Sequence, residues 1–241
     1  MKKALISTDG SHFLVDTDKD FHCRDGMISK DVIAKEGKFT AKNGVTFHIF
    51  DASFTDLFLH LKRGAQIVLP KDIGTIIAES GINKHSIVID AGTGSGALTS
   101  YLALHAKKVY TFDNRKEHIE VAAKNFTLFG LKNIVAKEHD MYAEDVPVKN
   151  ADLVTLDLTE PWRAVPHIEK AMKPGGFLIA YNPQISQAIT LVNSLKENKG
   201  FMVIKVLENM QREWEIDGHI SRPRFNQIAH TGFLTIARKI S

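Results

Sequence analysis

Cysteine is almost absent from this chain of 241 residues: Cys23 stands alone, which excludes an internal disulfide and a zinc–thiolate cluster. Long apolar runs are absent as well. None approaches the roughly 20 residues that span a bilayer, and punctuation such as KFT and KRG interrupts the longer stretches. At the N-terminus, MKKALISTDG has only three apolar residues between its lysines and Ser7, too few for a secretory signal. The cytoplasm is the expected compartment, with no membrane partner. An excess of one charge is lacking too. With 31 Lys and Arg against 28 Asp and Glu, the net +3 permits a nucleic-acid partner without demanding one. The eleven histidines show no metal-ligand spacing with acidic neighbours, so no metal is expected. What is present is an ordinary globular composition, 44% hydrophobic and 24% charged, enough for a sizeable core.

Two textures divide the chain. Residues 1–50 are short extended runs broken by Asp-Gly or Asn-Gly: LIST-DG-SHFLVDT, FHCR-DG-MISKDVI and KFTAK-NG-VTFHIF. Such dipeptides between alternating segments predict hairpins with type I′ turns, hence a small antiparallel β domain. SFTDLFLHLKRG then predicts a helix capped by Ser53 and ending before Gly64, so the first domain and its linking helix take residues 1–64. Over 65–241 the texture becomes strand–helix alternation. SIVID, KVYTFD, NIVAKEHD, ADLVTLDL and GFLIAYN are candidate strands, and RKEHIEVAAKNFTLFG is a helix ending at Gly130. This alternation predicts an α/β parallel sheet with helices on both faces. The segments around GFMVIKVLENM and GFLTIARK, with no comparable helix between them, predict an antiparallel pair closing one edge.

Ligands of open α/β sheets bind beyond the carboxyl ends of the strands. Four candidate strands end on aspartates there: Asp90, Asp113, Asp140 and Asp157. DAGTGSG (90–96) places Gly92, Gly94 and Gly96 where the first strand gives way to a helix opening near Ser95. A ligand can lie against such bare backbone. Asp113 stands 21 residues after Gly92, the spacing at which these folds read a ribose, and Asp140 can accept from an adenine amine. The set fits an adenosine-containing cofactor of either of two classes. Gly92, Gly94 and Ala97 match G-x-G-x-x-A of a nicotinamide dinucleotide site loosely. G-x-G-x-G after Asp-Ala matches S-adenosylmethionine enzymes.

Five segments narrow the choice: RGAQIVLPKD (63–72), DAGTGSGALT (90–99), LDLTEPW (156–162), KPGGFLIAYNPQISQ (173–187) and RPRFNQIAHTGFL (222–234). In this order, over nearly the whole chain, they resemble the tRNA (adenine-58-N1)-methyltransferase family in its archaeal and bacterial single-subunit form. The resemblance implies a class I S-adenosylmethionine-dependent methyltransferase: a Rossmann-like seven-stranded sheet with a small N-terminal antiparallel β domain, assembled as a homotetramer. It implies S-adenosyl-L-methionine as cofactor, the T-loop and elbow of tRNA as partner, and N1 of adenine-58 as acceptor, with adenine-57 left open. It also brings Ile67, Thr93, Ser95, Ala97 and Met141 into the cofactor set beside Asp90, the three glycines, Asp113, Asp140 and Asp157. His118, opening the helix after Asp113, reaches toward the cofactor's adenosine. The chain departs from the family at Leu69, where Tyr or His is usual, at Asp113, where Glu is usual, and at Asn182-Pro183-Gln184, where Ser-Pro-Thr is usual. Tyr181 or His230 offers a replacement for the aromatic face missing at Leu69.

The adenine N1 already carries an in-plane lone pair, so alignment rather than a strong base is what the reaction needs. Asp157 is the candidate catalytic residue. By accepting a hydrogen bond from the base's amine, it stabilises the positive charge that the ring acquires. Trp162 walls the pocket, with Arg163 beside it. A base held in tertiary pairing has to be extruded, and Lys62, Arg63, Arg222 and Arg224 are candidate phosphate contacts. Two rivals remain: a non-catalytic RNA-binding subunit, which would be expected to lose the glycine loop or Asp157, and a nicotinamide dehydrogenase, which leaves LDLTEPW unexplained.

Overall fold

The computed structural model describes residues 2–62, 64 and 66–241; Arg63, an expected phosphate contact, lies outside the described residues. The chain forms two compact units, Met1–Leu61 and Lys62–Ser241.

The first unit contains β1 (Lys2–Ser7), β2 (His12–Asp16), β3 (Phe21–Cys23), β4 (Gly26–Ile28), α1 (Lys30–Ile33), β5 (Gly37–Thr40), β6 (Thr46–Asp51) and α2 (Phe54–Leu59). Its antiparallel sheet has the order β2-β1-β6-β5, with β3 and β4 as a separate ribbon, over a core that includes Leu5, Ile28, Ile33, Phe47 and Ile49. Turns fall at the expected dipeptides, but they are not type I′. Only the glycines have positive φ, at 86° (Gly10), 123° (Gly26) and 87° (Gly44), whereas the residues before them do not. Asp9 and Asn43 instead accept from the backbone N–H two residues on, at 3.1 and 3.3 Å, an Asx turn that leaves the demanding φ to glycine alone. MISKDVI is not one extended run: it breaks after Ser29 into α1, which buries Ile33 completely. Ser53 caps α2 in a reciprocal pair with Asp56, and the helix stops at His60 (φ −105°, ψ 16°), short of Gly64.

The second unit contains α3 (Pro70–Ser80), β7 (Ile87–Ala91), α4 (Ala97–His105), β8 (Lys108–Asp113), α5 (Lys116–Leu128), β9 (Ile134–Glu138), β10 (Ala151–Leu156), α6 (Pro161–Glu169), β11 (Met172–Asn182), α7 (Ile185–Asn198), β12 (Phe201–Glu208), β13 (Trp214–Asp217), β14 (Ile220–Pro223) and β15 (Phe233–Lys239). Its seven-stranded sheet runs β12-β15-β11-β10-β7-β8-β9, parallel except for β15, which lies antiparallel between β11 and β12. Side chains alternate across the sheet. Leu153 and Ile179 join the layer of α3 and α4, while Val154, Leu156 and Leu178 join that of α6 and α7. The chain moves from β7 to β8 on one side and reaches β10 on the other, so β7 is the switch point beside which such sheets bind ligands.

Between β12 and β15 an excursion carries the β13–β14 hairpin, which turns at Asp217-Gly218 with a Gly218 φ of 55°. Its root is held by fully buried Asp72. Lys71 Nζ donates to both Asp72 oxygens (2.9 and 3.0 Å), to Asn209 O (2.8 Å) and to Thr231 Oγ1 (2.6 Å). Thr231 Oγ1 and Asn209 Nδ2 in turn donate to Asp72 at 2.8 and 3.0 Å.

Candidate active site

Beyond the carboxyl ends of β7 to β10 opens a cavity of about 400 Å³, bordered by Gly92, Asp113, Asp140, Met141 and Asp157. A second, of about 20 Å³, is bordered by Ile67, Thr93, Gly94, Ser95 and Ala97, and shares Gly92 and Asp157 with the first. Asp157 therefore stands at their junction. The glycine loop is shaped by both protein and opening. At Gly92 (φ 94°) a Cβ would lie 2.2 Å from Asp157 O, and at Gly96 (φ 78°) it would lie 2.4 Å from the Phe126 ring. Only Gly94 is clear of such contacts. Packing dictates two of the three glycines, and the third presents bare backbone.

Asp113 is aimed by its neighbours. Its Oδ2 accepts from Gly94 N–H and lies 3.0 Å from His118 Nδ1, while Oδ1 accepts from Arg115 N–H, also at 3.0 Å. His118 thus stands behind Asp113 instead of reaching the cavity. Asp140 is set by Tyr142 N–H, 2.8 Å from its Oδ1. Asp90 departs from expectation. It is only 1% exposed, and its carboxylate accepts from Thr99, Thr111 and Thr155 at 2.5, 3.1 and 2.7 Å, so it lies beneath the cavity and not on it. Burial raises its pKa. Asp157, just past β10, is half-buried. Desolvation, then the charges of Asp90 and Asp113, push its carboxyl up to about 7.

The expected substrate contacts separate into three places. Trp162, partly buried, packs on the core and does not border the larger cavity. Arg163 does not border the larger cavity; it lies 4.7 Å over the ring of Tyr142, which does, and pairs with Glu160 at 2.8 Å. Tyr181 and His230 border neither cavity. The Tyr181 hydroxyl donates to Thr231 O at 2.6 Å beneath Gly232, and burial followed by the charge of Asp72 pushes it up to about 12. His230 is bonded to Glu208 and, through Nε2, to Pro183 O at 2.7 Å, so neither residue supplies a face at Leu69. Leu69 borders a different cavity of about 400 Å³, together with Lys71, Gln211 and Gln227. Arg222 and Arg224 belong to the hairpin arm, paired with Glu215 (3.0 Å) and Glu213 (3.3 Å). The backbone of Lys62 is bonded on both sides by the Asn125 amide, which also bonds Ser95 O and braces the glycine loop. His139, Tyr142 and Thr159 border the larger cavity without having been expected there. Their signal was position, within two residues of a strand-end aspartate.

The family model described as the tRNA methyltransferase complex GCD14 subunit matches residues 52–219. This chain belongs to the GCD14 family. A curated relative, the tRNA (adenine(57)-N(1)/adenine(58)-N(1))-methyltransferase TrmI of Methanocaldococcus jannaschii, is 33% identical over 98% of this chain and 94% of its own length. Two solved structures share the GCD14-family chain's fold throughout. The tRNA (m1A58) methyltransferase TrmI of Aquifex aeolicus aligns with a TM-score of 0.86 at 27% identity, covering 100% of this chain and 97% of the other. A SAM-dependent O-methyltransferase of Thermotoga maritima aligns at 0.91 and 29% identity, covering 100% and 93%. The fold is therefore that of S-adenosylmethionine-dependent methyltransferases. Among the described residues of this family member, no helix is long and apolar enough to cross a membrane, and no three His, Cys, Asp or Glu side chains are grouped to hold a metal.

Proposed function

We propose that this protein transfers the methyl group of S-adenosylmethionine to N1 of adenine-58 in the T-loop of tRNA. The observation that carries the proposal is Asp157 at the junction of the two cavities, half-buried and raised to about 7, in a chain that matches a tRNA methyltransferase almost end to end. The residues present suit the cofactor. Gly94 is open, and two buried polar atoms at the cavities, Ser95 Oγ and His139 Nε2, have no hydrogen-bond partner among the described residues. Asp113, Asp140 and Met141 would hold the nucleoside, with Ile67, Gly94 and Ser95 at the other end. Bound there, S-adenosylmethionine supplies an electrophilic methyl carbon.

The protein's own part is placement and charge. Ionised Asp157 accepts a hydrogen bond from the amine of the incoming adenine, orients N1, and opposes the positive charge that the ring gains. Its protonated form accepts only through a neutral carbonyl oxygen and opposes no charge, so a raised pKa places the onset of activity near neutrality. Desolvation, which raises that pKa, also strengthens the ionised contact. Retention of the glycine loop, the cavity and Asp157 supports a catalytic chain over a non-catalytic RNA-binding subunit. Assembly as a homotetramer in the cytoplasm belongs to the same proposal, by resemblance to the family.

The test is product analysis. Transcripts incubated with protein and S-adenosylmethionine gain 1-methyladenosine, and replacing adenine-58 removes the signal. Asp157→Ala lowers turnover on the order of 10²-fold or more, the scale of one transition-state contact, with a much smaller change in cofactor affinity. Transfer to another acceptor with tRNA inert would overturn the substrate assignment while leaving the methyl donor in place.

A further inference from the structure

Asp157 opens a short loop, residues 157–160, that joins β10 to α6 and is neither helix nor strand. Its backbone is anchored at both ends. Asp157 N–H donates to Ala91 O at 2.8 Å, and Glu160 O accepts from Arg163 N–H at 3.0 Å where α6 begins. Between these ends two side chains from distant parts of the chain take hold. The Tyr142 hydroxyl accepts from Glu160 N–H at 3.2 Å. Gln187, in the first turn of α7, donates from Nε2 to Thr159 O at 2.8 Å, while its Oε1 accepts from Gln184 N–H at 3.0 Å. Both holds are braced in turn. Tyr142 N–H donates to Asp140, and its ring lies beneath the Arg163 guanidinium. Gln187 rides on a helix that buries Ala188, Leu191 and Leu195.

The loop needs such holds because of what it carries. Asp113 and Asp140 are aimed by backbone N–H groups that bond their carboxylates. The Asp157 carboxylate has no hydrogen-bond donor among the described residues, so its direction is inherited from the backbone beneath it. A displacement of about 1 Å at a reacting group can cost about 10²-fold in rate. We propose that Tyr142 and Gln187 are positioning residues: together they fix the 157–160 loop and thereby aim Asp157 at the incoming adenine. This rests on the assignment of Asp157 as the group that orients the base.

Single-turnover methyl transfer by the full chain, at saturating tRNA and S-adenosylmethionine, tests this beside titration calorimetry with S-adenosylhomocysteine. Tyr142→Phe removes one hydroxyl and keeps the ring beneath Arg163. It should lower the rate about tenfold, the worth of one hydrogen bond, and leave S-adenosylhomocysteine affinity within about twofold of the wild type. Gln187→Glu separates positioning from helix capping. The carboxylate still accepts from Gln184 N–H and suits a helix N-terminus, but it has no N–H for Thr159 O. The rate should again fall about tenfold, with a melting temperature equal to the wild type's or higher. A residue that only caps α7 would leave the rate of Gln187→Glu untouched. A wild-type rate in either variant overturns the inference while leaving the cofactor site intact. A fall in rate matched by an equal fall in S-adenosylhomocysteine affinity also overturns it, by moving the effect to the cofactor. Should Tyr142→Phe fail to fold, Gln187→Glu decides alone. A wild type that transfers no methyl group to adenine-58 overturns the proposed function, and this inference with it.

Discussion

Replacing Asp157 with Asn should make the protein more stable and nearly inactive, and the gain in stability should depend on pH. Burial and like charge push the carboxyl up to about 7 in the folded chain, against 3.8 for an aspartate free in water, a difference of about three units. Because the folded state holds a proton that the unfolded state has released, stability falls as pH rises from 3.8 toward 7 and levels off above. At about 1.4 kcal/mol per unit the full penalty is about 4 kcal/mol, and solvent reaching the half-buried group trims it to about 1–3 kcal/mol. Asn keeps the shape and carries no charge, so it removes this penalty at pH 8 and changes little near pH 4. For a chain of this size, 1–3 kcal/mol raises the melting temperature by about 3–10 °C. Calorimetric scans of wild type and Asp157→Asn at pH 5 and pH 8 measure the difference, with turnover assayed on the same preparations. A gain that is absent at pH 8, or equal at both pH values, would refute the account of desolvation and like charge beside Asp90 and Asp113.

Three further outcomes are expected. Gly96→Ala should cost about 2–4 kcal/mol in chemical denaturation, because a Cβ at φ 78° meets the Phe126 ring at 2.4 Å; a loss below 1 kcal/mol would show that the ring yields freely. Lys71→Met should cost about 3–5 kcal/mol, since it leaves the fully buried Asp72 without its cation; a double variant with Asp72→Leu should recover part of the loss. Arg222→Gln with Arg224→Gln should leave cofactor affinity and thermal stability nearly unchanged, because exposed ion pairs are worth less than about 1 kcal/mol. The same double variant should weaken tRNA binding and flatten its log–log salt slope by about 0.7–0.9 per lost phosphate contact, and an unchanged slope would remove both arginines from the RNA interface.

Much of the site was legible because a strand end is a positional signal. Asp113, Asp140 and Asp157 follow apolar runs, and all three border the larger cavity. Asp90 shows how one position alters the result. It is the penultimate residue of β7, and its register beside Thr111 and Thr155 turns it into the sheet, where three hydroxyls absorb its charge. The reason for two of the glycines was hidden because it lies in Asp157 and Phe126, residues distant in sequence that only tertiary packing brings near. Tyr181 and His230 looked available as aromatic faces, yet hydrogen bonds to Thr231 and Pro183 engage them elsewhere. The β13–β14 hairpin carried a legible cue in Asp217-Gly218, the same dipeptide type that marks two hairpins of the first unit. It lies between the two segments read as the antiparallel edge pair, where the sequence reading assigns no strand.

The clasp at Asp72 gives that hairpin arm an independence of its own. Glu208 pairs with Phe233 across the β12–β15 ladder, so the arm leaves and rejoins the sheet at one place. Asn209 and Thr231, at its two ends, grip opposite oxygens of one carboxylate. In topology the arm is an enlarged turn, and its root is pinned whatever its length. Segments can be added to it or cut from it without shifting the register of either strand. A load on its tip ends at Asp72 before it can shear β12 from β15. The arm is thus a module that can be exchanged, and the catalytic sheet beneath it need not change when it is.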